Sequence, residues 1–366
     1  MKLKKTEKTN KRVFVGMSGG VDSSVSAALL KDAGYDVTGV FIKVWHPDFM
    51  PCDWKEERRD AIRVCAHLGI PFLTLDCEKE YKEDVVDYMI REYSNGRTPN
   101  PDVMCNKSVK FGSFLKKALK TGADFVATGH YAINEVKNEM CSMFESKDKN
   151  KDQSYFLWTL NQDQLKHVIF PVGHLVKDEV RKIAEKKGIP TASKKDSQGL
   201  CFIGKVDMKD FLKNYIPEKI GNVLDIEGKV IGEHEGAYFY TIGQRHGFDV
   251  KKEASDEKPM YIVSKDIKNN TITVSNKFDE IDNLQNIKSV ELSNVNWINE
   301  IPEEGKEYGA RFRYRQEAQK CEVKINGDKT IIVFKEAQSA VSLGQSLVLY
   351  LGEKCLGGGI INEIFR

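Results

Sequence analysis

The chain has 366 residues, which predicts two or three domains. Hydrophobic residues make up 40% and charged residues 30%, as in soluble globular proteins, and no apolar run approaches the ~18 residues that a membrane span requires. With 56 Lys and Arg against 54 Asp and Glu, the formal charge is only +2, so any nucleic-acid site has to be a local cluster of basic side chains.

The eight cysteines are scattered along the chain, and because none forms a Cys-x-x-Cys pair, no structural zinc site is expected. Scattered thiols are typical of a reducing compartment. The first residues are basic and polar and lack the apolar segment of a secretion signal. We therefore predict a cytoplasmic protein without membrane contact, whose residues 1–11 form a flexible basic tail.

An apolar run at residues 13–16 leads into a glycine-rich turn and then into a helical pattern that Gly34 ends. A strand, a glycine loop and a helix N-terminus form a common phosphate-binding arrangement, because backbone N–H groups point at the anion. The turn, Ser-Gly-Gly-Val-Asp-Ser-Ser at residues 18–24, is neither a Walker A loop nor a Gly-x-Gly-x-x-Gly motif. It resembles the pyrophosphate loop of the ATP-pyrophosphatase superfamily, whose members adenylate a substrate and release pyrophosphate. Asp22 is a candidate to orient a magnesium ion.

Strand and helix patterns alternate from residue 12 to about residue 125. Strands are predicted at residues 36–44, 71–75 and 123–128, and helices at residues 53–67, 79–93 and 107–120. Repeated βα units predict a parallel sheet with helices on both faces, whose ligands lie at the carboxyl ends of the strands. The glycine loop, Ile42 and the Thr-Gly-His-Tyr segment at residues 128–131 all follow such ends.

After about residue 136 the residue composition and the predicted secondary structure change. Residues 137–151 are polar and predict an exposed loop, and a further helix is predicted at residues 177–187. Frequent glycines after residue 206 indicate a small β-rich middle domain, and five short alternating strands after about residue 287 predict a small β-barrel. The predicted domains are an α/β catalytic domain at residues 12–205, a central domain at 206–286 and a C-terminal barrel at 287–366.

Two cysteines lie in loop-like, motif-like stretches. Pro99 and Pro101 predict an extended loop that brings Asp102 and Cys105 to the start of a helix, where the pKa of a thiol falls. Cys201 lies in a second, glycine-flanked loop. Two such thiols beside a nucleotide-binding sheet suggest sulfur chemistry, in which one carries a persulfide and the other resolves it. The alternative is two unrelated buried thiols.

Three arginines alternate in the C-terminal region. Arg311, Arg313 and Arg315 are expected to project from one face of a strand, with Phe312 and Tyr314 interleaved. The interleaved aromatic rings favour phosphate contact, and an ordinary solvated barrel face is the alternative.

A family resemblance runs nearly end to end and is carried by eight motifs. They are Gly-Met-Ser-Gly-Gly-Val-Asp-Ser-Ser (16–24), Gly-Arg-Thr-Pro-Asn-Pro-Asp-Val-Met-Cys-Asn (96–106), Thr-Gly-His-Tyr (128–131), Lys-Asp-Gln-Ser-Tyr-Phe-Leu (151–157), Gly-Leu-Cys-Phe-Ile-Gly (199–204), Tyr-Thr-Ile-Gly-Gln-Arg (240–245), Arg-Tyr-Arg-Gln (313–316) and Gly-Gln-Ser (344–346). In this order they resemble the tRNA-specific 2-thiouridylase family. That family has a pyrophosphate-loop domain, a small central domain and a C-terminal β-barrel, and it uses ATP to replace the C2 oxygen of the wobble uridine of certain tRNAs by sulfur. Residues 136–149 depart from the family pattern, since we expect no compact hairpin there, and residues 247–250 are less glycine-rich than usual.

The resemblance implies a role for each matching residue. ATP, with Mg²⁺, would be held by Gly16, Met17, Ser18, Gly19, Gly20, Val21, Asp22, Ser23, Ile42 and Gly129. The flipped-out target base would face Asn100, Pro101 and Asp102, with Asp102 as acid or base. Cys201 would carry the persulfide, supplied by a donor protein, and Cys105 would form a disulfide with it after transfer. Contacts to tRNA would come from His130, Lys151, Asp152, Gln153, Arg313, Tyr314 and Gln345, and this assigns the barrel to tRNA contact.

Several alternatives stay open. An adenylating synthetase that acts on a small molecule would explain the loop but would leave the barrel and both cysteines without a role, and a non-catalytic RNA-binding protein would leave the loop unexplained. Asp102, Cys105 and Cys201 are also candidate ligands of an iron–sulfur cluster. His130 is alternatively a helix cap, and residues 151–153 a solvated turn. The sequence names neither the tRNAs nor the sulfur donor nor the oligomeric state.

Overall fold

The structure is a computed structural model that describes residues 9–50, 54–195, 207–250, 259–277 and 286–366. Cys201 with its loop, and most of the predicted basic tail, lie outside these residues. The first seven strands are β1 (Arg12–Gly16), β2 (Asp36–Lys43), β3 (Phe72–Asp76), β4 (Phe125–Ala127), β5 (Ala132–Lys137), β6 (Met140–Glu145) and β7 (Val168–Ile169). Five of them form a sheet in the order β3-β2-β1-β4-β7, and every pairing in it is parallel. The predicted parallel α/β sheet is confirmed.

Helices cover both faces of this sheet. They are α1 (Val21–Asp32), α2 (Trp54–Leu68), α3 (Glu78–Tyr81), α4 (Tyr88–Ser94), α5 (Pro101–Met104), α6 (Leu115–Lys120), α7 (Gln162–Leu165) and α8 (Lys177–Lys186), with α9 (Met208–Lys213) opening the central region. The strand β1 shows why two faces are buried: Val13 and Val15 join one hydrophobic core, and Phe14 between them joins the other. No helix in the described parts of the chain is long and apolar enough to cross a membrane.

The helix predicted at residues 107–120 begins six residues earlier, at Pro101. Proline fits the first position of a helix, where its missing N–H is not needed, and the Asn100 side chain caps the turn by accepting from the Val103 N–H at 3.3 Å. The π-helical segment Cys105–Phe114 then joins α5 to α6. The predicted loop therefore ends at Asn100, and the placement of Asp102 and Cys105 within it is wrong, because both residues lie in helix.

Residues 137–151 also differ from the predicted exposed loop, because β5 and β6 form an antiparallel hairpin. Its two turn residues, Asn138 and Glu139, have φ of +49° and +64°, the left-handed conformation that tight hairpin turns require. Cys141 and Met143 on β6 are buried, whereas Lys137 is exposed. The expected departure from the family's compact hairpin is therefore wrong as well.

The remaining strands form two further sheets. The central region holds β8 (Gly221–Leu224), β9 (Val230–His234), β10 (Asp249–Val250), β11 (Tyr261–Asp266) and β12 (Thr271–Ser275), in the order β10-β9-β8-β12-β11. The C-terminal region holds β13 (Ile287–Trp297), β14 (Tyr308–Arg311), β15 (Gln319–Asn326), β16 (Lys329–Gln338), β17 (Ser346–Leu351) and β18 (Lys354–Phe365). These six close into a barrel because β13 pairs with both β16 and β18, which confirms the predicted barrel. The hairpin strand β6 pairs with β18 and so joins the N-terminal α/β region to the barrel.

Candidate functional site

The glycine loop lies between β1 and α1, at the carboxyl edge of the parallel sheet. Gly19 has φ of +72°, and a Cβ there would lie 2.5 Å from the Glu57 carbonyl oxygen, so only glycine fits. Ser23 Oγ donates to the Gly20 carbonyl at 3.1 Å and accepts from the Ser18 N–H at 3.3 Å. The serine hydroxyls therefore brace a loop that leads directly into the N-terminus of a 12-residue helix.

Other residues predicted for ATP lie around this loop. Met17 and Val21 are buried, so they present backbone rather than side chain. A Cβ on Gly129 would lie 2.7 Å from the Ser23 nitrogen, which shows how closely the chain after β4 approaches the start of α1. Ile42 is buried near the end of β2, two residues beyond Val40, the register partner of Gly16. The fold thus gathers the predicted set at one edge of the sheet.

Asp22 has two partners that the sequence did not suggest. Lys177 Nζ donates to both Asp22 carboxylate oxygens, at 2.7 and 2.8 Å, and the Tyr131 hydroxyl donates to Oδ1 at 2.8 Å. The Lys177 side chain is only 11% exposed. Lys177 is the first residue of α8, where a cation opposes the helix dipole. A lysine at the start of a predicted helix is therefore a sequence signal for a special role of this residue.

His130, predicted to touch tRNA, lies in the core. Its ring packs against Phe111 and Phe170, and its two nitrogens face Thr128 Oγ1 at 2.7 Å and Lys110 Nζ at 3.4 Å. Desolvation, followed by the charge of Lys110, holds the pKa of His130 well below its ordinary value, so the ring is neutral at pH 7. Because His130 is only 8% exposed, its predicted contact with tRNA does not agree with this position.

Asp152 and Arg311 belong to a buried ionic cluster between the N-terminal α/β region and the barrel. Arg311 forms ion pairs with Glu145 and, at 3.5 Å, with Asp152, and its guanidinium lies 4.6 Å from the centre of the Tyr350 ring. Burial raises the pKa of Asp152. The hydrogen bonds that its carboxylate accepts from the Ser146 N–H at 2.9 Å and from the Ser154 hydroxyl lower the pKa but do not cancel this effect. Neither the predicted tRNA contact of Asp152 nor the predicted exposure of Arg311 agrees with this geometry.

The predicted arginine stripe is absent because its strand, β14, ends at Arg311. The chain then turns, and Arg315 has a left-handed φ of +64° and lies 5.0 Å from the Tyr314 ring centre. Arg313 donates to the Ala340 carbonyl and points toward a cleft rather than along a barrel face. The three arginines therefore have three different surroundings.

The cleft is a pocket of about 450 Å³ at the junction of all three regions. Its lining is Asn100 and Tyr155 from the N-terminal α/β region, Thr241, Ile242, Gly243 and Gln244 from the central region, and Phe312, Arg313, Tyr314, Ala340, Ser342 and Gln345 from the barrel. Four residues that the sequence assigned to tRNA, from three distant parts of the chain, thus meet here: Asn100, Arg313, Tyr314 and Gln345.

Bonds between the regions hold one wall of this pocket in place. The Thr98 N–H donates to the Leu343 carbonyl at 2.8 Å, and its hydroxyl lies 3.1 Å from the Thr241 hydroxyl. Arg97 Nη2 donates to the Ile361 carbonyl at 3.1 Å. The segment that precedes Asn100 is therefore fastened to both the central region and the barrel.

Asp102 lies on α5, directly after the pocket residue Asn100, and Cys105 begins the π-helical segment that follows α5. Asp102 lies in the first helical turn, where a carboxylate suits the helix dipole. Cys105 follows that turn and is 1% exposed, so the predicted loop position of this thiol is wrong. Its distance from Cys201 is undefined, because Cys201 lies outside the described residues. Lys151 is half-buried. Gln153 forms hydrogen bonds with both the backbone N–H and the backbone carbonyl of Tyr131.

No group of three His, Cys, Asp or Glu side chains within the described ranges is arranged to hold a metal ion. A magnesium ion that accompanies ATP needs fewer protein ligands than this, since it keeps several waters and takes one or two carboxylates together with phosphate oxygens. Asp22 supplies a carboxylate of that kind beside the loop, so the residues present fit such an ion.

The fold and the loop define the class: a pyrophosphate-loop α/β protein with a central β domain and a closed C-terminal barrel. Three family models match consecutive parts of the chain. They are the tRNA methyl transferase HUP domain over residues 11–205, the tRNA methyl transferase PRC-barrel domain over 209–276, and the Aminomethyltransferase beta-barrel domain over 287–361.

Curated relatives named tRNA-specific 2-thiouridylase MnmA match along almost the whole length. The Streptococcus sanguinis protein is 47% identical over 360 residues, covering 97% of this chain and 96% of its own. The Streptococcus thermophilus protein is 46% identical over 366 residues, covering 99% and 98%. The chain belongs to the tRNA-specific 2-thiouridylase MnmA family. A solved U34-tRNA thiolase, NcsA from Methanococcus maripaludis, covers 57% of this chain and 68% of its own at 18% identity and a TM-score of 0.36, a likeness too weak to support an argument.

Proposed function

We propose that this protein is a tRNA-uridine 2-sulfurtransferase, which uses ATP to replace the C2 oxygen of the wobble uridine by sulfur. The family supports this activity, since the relatives carry the name tRNA-specific 2-thiouridylase. The single observation that carries the proposal is the three-region pocket, which combines Asn100, Arg313, Tyr314 and Gln345 beside the helix of Asp102 and Cys105.

The pyrophosphate loop would hold the phosphates of ATP. Its backbone N–H groups and the N-terminus of α1 supply donors and partial positive charge. Mg²⁺ at Asp22 would neutralise the phosphate charge that develops during transfer. Attack of the uridine C2 oxygen on the α-phosphorus would break the α–β phosphate bond, release pyrophosphate and leave AMP on that oxygen as a leaving group.

The pocket suits a nucleotide that has left its stack. A volume of about 450 Å³ lies within the range of small-molecule sites. The Tyr314 ring, which packs on Phe156 with centroids 4.6 Å apart, offers a rigid stacking surface. Asn100 and Gln345 offer amide donors and acceptors to base edges, and Arg313 offers a cation to the backbone.

Sulfur transfer would use the two motif cysteines. The terminal sulfur of a Cys201 persulfide, supplied by a donor protein, attacks C2 and displaces AMP. The Cys105 thiolate then attacks the Cys201 sulfur, so the outer sulfur stays on the uridine and a Cys105–Cys201 disulfide forms. An external thiol reductant resets the pair. Because Cys105 is 1% exposed, its helix has to open locally for this step.

Two measurements test the function together. The purified protein is given ATP, Mg²⁺, a persulfide source and bulk tRNA, and released pyrophosphate and modified nucleosides are both quantified. We expect pyrophosphate release that tRNA stimulates, 2-thiouridine in the digest, and neither product from the Asp22→Ala variant. Turnover that needs a small molecule instead of tRNA would favour a synthetase, a methylated uridine would favour the activity in the family-model names, and tRNA binding without turnover would favour a binding protein.

A further inference from the structure

The ion pair between Lys177 and Asp22 covers the side of the glycine loop on which the Asp22 carboxylate lies. Lys177 is one of the few buried charged residues, and its ammonium lies within 2.8 Å of both carboxylate oxygens. The Tyr131 ring lies 5.8 Å from the ammonium, and the Tyr131 hydroxyl binds the same carboxylate. The three side chains thus form a compact polar cluster at the first turn of α1.

This cluster is unusual for a site that receives a polyphosphate. Asp22 places a negative charge at the helix N-terminus, where the anion would bind, and without compensation it would repel the phosphates. Lys177 supplies that compensation. A lysine ammonium is a point charge on a flexible four-carbon stem, so it can change partners without backbone movement. A carboxylate that passes to Mg²⁺ would release Lys177 beside the phosphates.

We propose that Lys177 is a phosphate-binding residue of the pyrophosphate loop, held on Asp22 in the free protein and transferred to a phosphate oxygen when Mg-ATP binds. This inference rests on the proposed use of ATP. Tyr131 is a positioning residue in this scheme, because its hydroxyl fixes the Asp22 carboxylate.

A second contact places Lys177 from the opposite side. The Lys177 backbone N–H donates to Asp148 Oδ2 at 2.9 Å, which fastens the start of α8 to the segment of residues 148–153. Gln153 in that segment accepts from the Tyr131 N–H at 3.0 Å and donates its own N–H to the Tyr131 carbonyl at 2.8 Å. Both partners of Asp22 are thus held by the same segment, which fixes where the ammonium lies.

The experiment compares nucleotide binding with and without phosphates. Calorimetry on the full chain measures the affinities of α,β-methylene-ATP and of adenosine, each with Mg²⁺. Lys177→Met should weaken binding of the analogue by about 10- to 100-fold, the worth of one charge-assisted bond, and leave adenosine unchanged. Lys177→Arg should keep part of the affinity. Lys187→Met, at the end of the same helix and paired with Asp32, is the matched control and should bind both ligands normally.

Removing Asp22 gives the complementary result. In buffer without Mg²⁺, Asp22→Asn should bind the analogue more tightly than the wild type, because the amide no longer holds Lys177 or repels the phosphates. The double variant Asp22→Asn with Lys177→Met should lose that gain.

The proposal is overturned if Lys177→Met keeps the wild-type ratio of the two affinities, or if both affinities fall equally, which would indicate a structural role. If Lys177→Met does not fold, the Asp22→Asn result decides, and weaker binding there counts against the proposal. A wild type that does not prefer the analogue to adenosine would instead refute the proposed use of ATP.

Discussion

Arg311 and Arg313 are two residues apart, but their substitution should affect different properties: stability for Arg311 and tRNA affinity for Arg313. Arg311→Met removes the cation from a buried cluster in which Glu145 and Asp152 are 7% and 5% exposed. Breaking a buried pair costs about 3–5 kcal/mol. Each carboxylate keeps another partner, Lys149 for Glu145 at 2.9 Å and the Ser146 N–H for Asp152, so we expect the lower end, about 3 kcal/mol. At roughly 2–4 °C per kcal/mol, the melting temperature should fall by about 6–12 °C.

Arg313→Met should leave that temperature nearly unchanged and weaken tRNA binding instead. Arg313 lines the pocket and is exposed, so its loss removes no buried ion pair. Loss of one phosphate contact should reduce the slope of log affinity against log salt by about 0.7–0.9. Calorimetry measures the melting temperature of each variant. A tRNA titration on the same preparations, at salt concentrations from about 50 to about 200 mM, measures the affinity and its salt dependence. Loss of tRNA affinity in folded Arg311→Met with none in Arg313→Met would refute this division of roles.

Three further predictions concern other parts of the molecule. Cys105→Ser should still accept labelled sulfur on Cys201 but fail to deliver it to tRNA, and a normal thiolation rate in that variant would contradict the disulfide step. Tyr314→Ala should weaken tRNA binding by roughly 5- to 150-fold, the worth of one stacked base, whereas Tyr314→Phe should retain affinity; equal losses would exclude stacking. Burial lowers the pKa of Lys265 from 10.5 to about 8, so the unfolded chain binds more protons between these values. Urea unfolding should therefore show stability rising with pH from about 8 to 10 in the wild type relative to Lys265→Met, and parallel profiles would contradict it.

Local pattern in the sequence determined the classes of structure and the position of the glycine loop. Alternating apolar segments predicted the parallel sheet and the barrel, because burial of one or both faces of a strand imposes a short-range period on the chain. The glycine loop was recognisable for the same reason, since a left-handed residue such as Gly19 and a helix N-terminus are local backbone requirements. Those features depend on neighbours a few residues away.

The tertiary structure decided how distant residues combine, and this is where local reasoning failed. Prolines at 99 and 101 predicted a loop, but the Asn100 cap and the first-turn position of Pro101 made a helix that buries Cys105. The polar hairpin of β5 and β6 became ordered because β6 found a partner strand, β18, about 210 residues away. The sequence places Lys177 at the start of a predicted helix, but it reaches Asp22 beside the glycine loop only because α8 packs against α1. Ion pairs and pockets of this kind depend on contacts between segments far apart in the chain, and no local period in the sequence encodes them.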